Sequence, residues 1–128
     1  MTVVHHLLDV YGVDLYLLTN RRDWATLRRR FTSLGDAPTS DGATQLGHFV
    51  PDQGGRVEAC SIIWISGLVS DDLDLVEVCA HEASHAAGQI LHWAGHDFRG
   101  DEGGDEPHAF LVGWLTRWLW QHTRGRQA

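Results

Sequence analysis

The chain has 128 residues, 43% of them apolar, with six Trp and a formal charge of −7. That length and apolar content suit one domain, residues 1–128, with a single packed core, and they exclude wholesale disorder. The acidic balance argues against nucleic acid or an anionic membrane as a partner, and no apolar run is long enough to span a bilayer.

Met1 to Tyr11 has neither the basic start nor the long apolar run of a secretory signal. A cytoplasmic, reducing setting is therefore the default, with Cys60 and Cys79 as free, buried thiols. Val10 to Leu18 carries β-branched and aromatic residues in loose alternation and predicts a strand. Thr19 or Asn20 then caps a helix over Arg21 to Phe31, with Trp24, Leu27 and Phe31 inward and the arginines on a solvated outer face.

Gly35 to Gly42 reads as a loop. Ala43 to Val50 and Arg56 to Ser66 predict two strands of a hairpin joined by Pro51-Asp52-Gln53-Gly54-Gly55. Ile62, Ile63, Trp64 and Ile65 are apolar without alternation, so part of the second strand is covered on both faces.

Ser70-Asp71-Asp72 supplies a cap and an acidic first turn for a helix from Asp71 to Ala94, stopped by Gly95. Leu73, Val76, Ala80, Ala83 and Ala87 form its apolar stripe. After the acidic, Gly-rich stretch 96–104, Asp105 caps a last helix running to about His122. Most of Phe110, Leu111, Trp114, Leu115, Trp118 and Leu119 should be core, with Trp120 the most exposed.

Within the 71–94 helix lies His81-Glu82-Ala83-Ser84-His85, a His-Glu-x-x-His motif. Histidines at i and i+4 share one helix face, and two imidazoles at that spacing hold one zinc ion, while the adjacent Glu reaches a metal-bound water. A catalytic zinc needs a third protein ligand. Glu106, opening the last helix, is the choice, with Asp105 and Glu102 as its nearest rivals. Glu77, one turn before His81, is either a supporting carboxylate or a solvated one.

His81-Glu82-x-x-His85 followed by Glu106-x-x-Ala109 resembles the zincin metallopeptidases of the glutamate-ligand branch, the gluzincins. The Glu-x-x-Ala form is similar to small zincin-like peptidases of phages and mobile elements. The resemblance implies an α+β, minimal zincin-like fold: a small β-sheet, three helices, and the motif helix packed on the sheet. It further implies Zn2+ held by His81, His85 and Glu106, with Glu82 as general base for attack of a zinc-bound water on a peptide bond. The strand Arg56 to Ser66 would present an edge to an extended peptide substrate.

Gly88 begins the metzincin pattern, but Leu91 stands where that pattern needs a ligand, so the metzincin reading is rejected. The residue that assists the oxyanion is left open among His108, His96 and Tyr16. Glu58 to Ser61 faintly resembles a peptide deformylase segment, with Cys60 as a minor ligand alternative. The competing functions are a zincin-fold protein using zinc for structure or partner binding, and a zinc amidase or deformylase-type hydrolase.

Overall fold

Two segments, Val13–Leu18 (β2) and Glu58–Ile65 (β4), are buried along nearly their whole length. Such strands belong in the middle of a sheet that is covered on both faces. The computed structural model, which describes residues 3–51, 54–95 and 106–127, places them there: they pair in parallel, with Asp14 opposite Cys60 and Leu18 opposite Trp64. Val4–Leu8 (β1) flanks β2 and Gly42–Phe49 (β3) flanks β4, both antiparallel, giving the order β1-β2-β4-β3. With three helices this is an α+β arrangement around one mixed four-stranded sheet.

β1 was not foreseen. Its His5 and His6 break the apolar pattern that marks a strand, and it forms because Tyr11 and Gly12 N–H groups bond back to the Leu8 carbonyl in a tight turn. The expectation that Arg56 to Ser66 offers an edge is also corrected. β2 inserts beside β4, so the edge strands are β1 and β3, and of the hairpin only β3 has an open edge.

One sheet face carries Tyr16, Leu18, Cys60, Ile62 and Trp64 and packs on Trp24, Leu27 and Phe31 of Arg21–Arg30 (α1). Asn20 caps α1: its Oδ1 accepts from the Asp23 N–H at 2.8 Å, and its Nδ2 donates to the Asp23 carboxylate at 3.0 Å. The other face carries Val13, Leu15, Leu17, Ile63 and Ile65 and packs on Asp72–Trp93 (α2) and Glu106–Gln127 (α3).

α2 begins at the Asp71 cap, whose Oδ2 accepts from the Asp74 N–H at 3.1 Å. It ends before Gly95, whose φ of 83° is the left-handed geometry that glycine adopts without strain. Its buried stripe is Leu75, Cys79, Ala83, Ala86, Ala87, Ile90 and Leu91. Leu73 and Val76, expected inside, are exposed. The helix is wedged between the sheet and α3, so its buried arc is set by two neighbours and not by one amphipathic stripe. α3 begins at Glu106 and extends past His122 to Gln127. No described helix is long and apolar enough to cross a membrane.

Candidate metal centre

His81 and His85 sit mid-way along α2, on its exposed side, and their Nε2 atoms approach to 3.2 Å with the rings at 75°. Two ligand atoms bound about 2.0–2.1 Å from a tetrahedral zinc stand roughly 3.3 Å apart, so the pair has the bite of a chelating site. Two neutral rings at this distance also share an N–H···N hydrogen bond. Metal analysis separates the two readings.

Glu82, next to His81, is buried against β3 and is only 4% exposed. Thr44 donates its hydroxyl proton to Glu82 Oε1 at 2.7 Å. The second oxygen, Oε2, lies 3.9 Å from His81 Nε2. A buried carboxylate is expensive without partners, and the threonine hydroxyl supplies one. Gly42 lies close to Oε2: a Cβ built there would lie 2.7 Å from Oε2 and 2.9 Å from Val78 Cγ1. Neither Gly42 nor Thr44 was picked out from the sequence. Gly42 reads as the end of a loop, whereas it opens β3, where a glycine marks a close approach.

β3 runs alongside α2 from this point to His48, whose ring meets Trp93 edge-on at 4.4 Å. The Ser66 N–H bonds to the Asp41 carbonyl, which fixes the ladder: alternate residues from Asp41 pair with β4. Gly42, Thr44, Leu46 and His48 therefore aim their backbone N–H and C=O groups at the open edge.

Glu106 opens α3, but at a distance from the histidines. Cys79 Sγ and Thr123 Oγ1 are 3.7 Å apart, and Arg124 pairs with Asp72 at 2.9 Å, so the C-terminal half of α3 lies beside the first half of α2. At about 1.5 Å rise per residue, Glu106 is on the order of 15 Å along the helix axes from the level of His85. It is exposed, on the side of α3 opposite Leu111 and Leu115. Among the described residues, no group of three His, Cys, Asp or Glu side chains forms that could hold a metal. His96, Glu102 and Asp105 lie outside the described residues.

The minor alternatives fall away from this centre. Tyr16 and Cys60 are buried on the α1 face of the sheet, across from α2. Burial pushes the Tyr16 hydroxyl and the Cys60 thiol up to about 12 each. His108 is half-buried in the first turns of α3, and Glu77 is exposed. A cleft of about 570 Å³ opens at the far end of β4, lined in part by Asp14, Arg30 and Glu58. Within it Arg30 pairs with Glu58 at 2.8 Å and Asp14 with His5 at 2.7 Å.

No family model, no curated protein and no solved structure matches this chain, so the functional reading stands on the geometry of the site and the motif that builds it.

Proposed function

We propose that the protein is a zinc-dependent hydrolase that cleaves peptide bonds. One observation carries the reading: two Nε2 atoms 3.2 Å apart stand beside a buried carboxylate on the same helix. His81 and His85 would hold the ion. Zinc bound there would act as a Lewis acid on a carbonyl and lower the pKa of water. Glu82 accepts a proton through Oε2, the oxygen on the histidine side, and returns it to the leaving nitrogen. The open edge of β3 takes the backbone of an extended peptide, through the outward groups of Thr44, Leu46 and His48.

The third ligand is drawn from the acidic segment 96–106, which includes Asp97, Asp101, Glu102, Asp105 and Glu106. An intracellular setting fits two free, buried cysteines.

The exposure of the pair, with His81 66% exposed, favours one second reading, in which zinc serves partner binding and turnover is negligible. Elemental analysis of purified protein, wild type against His81→Ala and His85→Ala, tests the metal; hydrolysis of a quenched fluorescent peptide mixture by the zinc-loaded protein tests the reaction. Metal-free wild type would sink both readings, whereas one zinc per chain without hydrolysis would leave the second.

A further inference from the structure

We propose that Thr44 and Gly42 of β3 are positioning residues for Glu82, dividing the work of its two carboxylate oxygens: Thr44 anchors Oε1, and the missing side chain at Gly42 leaves Oε2 free for the proton. This rests on the reading of Glu82 as the base. The threonine hydroxyl has a single proton, and it goes to Oε1 at 2.7 Å in preference to the Glu82 carbonyl at 3.5 Å. That bond fixes the carboxylate plane and commits one oxygen. Oε2 is the oxygen turned toward the histidines, 3.9 Å from His81 Nε2.

A glycine weakens a strand, because it brings no packing and the most chain entropy. At position 42 it serves a close approach. Any Cβ would press on Oε2 at 2.7 Å, and on Glu82 Cγ and Val78 Cγ1 at 2.9 Å each, so the carboxylate could not keep its place. The flexible end of Glu82 would yield first, so the substitution acts on the base. Threonine also suits its own place: β-branching favours the strand, and alternation points its hydroxyl at α2. Thus the strand whose edge would receive substrate is also the one that holds the base.

The test uses zinc-loaded, full-length protein and a quenched fluorescent peptide mixture. Thr44→Val should keep zinc and KM while lowering kcat by roughly 10- to 100-fold, the scale seen when a partner of a site residue is removed. Thr44→Ser should restore most of it, which a packing role for the methyl group would not. Gly42→Ala should lose kcat with zinc retained. Wild-type kcat in Thr44→Val, beside an inactive Glu82→Gln, would overturn the proposal. A second measurement needs no turnover. Thr44→Val should lower the melting temperature by several degrees when Glu82 is present and leave it unchanged in a Glu82→Ala background; equal shifts in both would also overturn the clamp. If wild type fails to cleave, the hydrolase reading falls, and the thermal cycle still decides whether Thr44 holds Glu82.

Discussion

His81 Nε2 and His85 Nε2 stand 3.2 Å apart on the exposed side of α2, one helical turn from each other. Because both rings lie at the surface, neither is needed to hold the core. His81→Ala should therefore abolish stoichiometric zinc while keeping metal-free stability within about 0.5 kcal/mol of wild type. In wild type, zinc at a hundredfold excess over its Kd should add about 2.7 kcal/mol. Thermal melts with and without zinc check both; an identical zinc shift in wild type and His81→Ala would count against the site.

Glu82 is the buried partner of the exposed pair. Glu82→Gln preserves the side-chain shape and can still accept from Thr44, so zinc content should not change. A neutral amide is no base, and peptide hydrolysis should fall by roughly 10²- to 10⁴-fold. Measurable turnover near the wild-type rate would move the base elsewhere.

The third ligand is the next question that substitution answers. Single alanine variants at Asp97, Asp101, Glu102, Asp105 and Glu106 should include one whose zinc affinity drops by about tenfold or more. With Glu106 on the order of 15 Å along the helix axes from the level of His85, its variant is the informative control: a large loss there would mean that the first turn of α3 moves to the histidines. Five unchanged affinities would leave the ion without a third ligand from this segment.

The open edge of β3 predicts a contrast between two prolines. His48 aims its N–H away from β4, so His48→Pro should fold and should weaken peptide binding, read as a raised KM. Gln45 aims its N–H into the ladder, so Gln45→Pro should cost about 3 kcal/mol or more and lower the melting temperature sharply. Equal effects on folding would contradict the assigned register.

Alkaline pH should destabilise the fold. Burial raises the Cys60 thiol from 9.0 to about 12, with Glu58 and Asp14 adding to it, and burial likewise lifts Tyr16 from 10.0 to about 12 and Cys79 above 9.0. Unfolded, these groups lose protons near 9 and 10; folded, they retain them to higher pH. Their contribution is thus constant below about pH 9 and is lost as pH climbs toward 12. Urea midpoints measured from pH 8 to 11 should fall, and Cys60→Ala should flatten the decline. For the same reason a disulfide reagent at pH 8 should find no fast-reacting thiol in the native protein.

What could be read from residues alone was local. The Asp71 cap, the Gly95 stop and the His81–His85 spacing all operate within a turn or two, and α2 formed where they placed it. One neighbour of β4 was legible, since β3 pairs with it as the hairpin expected; the other was not, because the insertion of β2 joins residues far apart in the chain, and no short pattern encodes that. Leu73 and Val76 match helical spacing as well as Leu75 and Cys79 do; only the positions of the sheet and α3 decide between them. Thr44 was hidden for a similar reason, being an ordinary strand residue until α2 is laid against it.

The bond between Thr44 and Glu82 spans 38 positions of chain, whereas His81 and His85 are four apart. Bringing the two histidines together needs one helical turn, and orientation of Glu82 needs the closed sheet with α2 docked beneath its edge. A nascent or partly unfolded chain would hence pair the histidines before it could set Glu82, and a zinc hydrolase built this way would bind metal before it could hydrolyse anything. Cutting power would appear last, as a property of the finished fold, and would be the first thing lost when the edge strand frays.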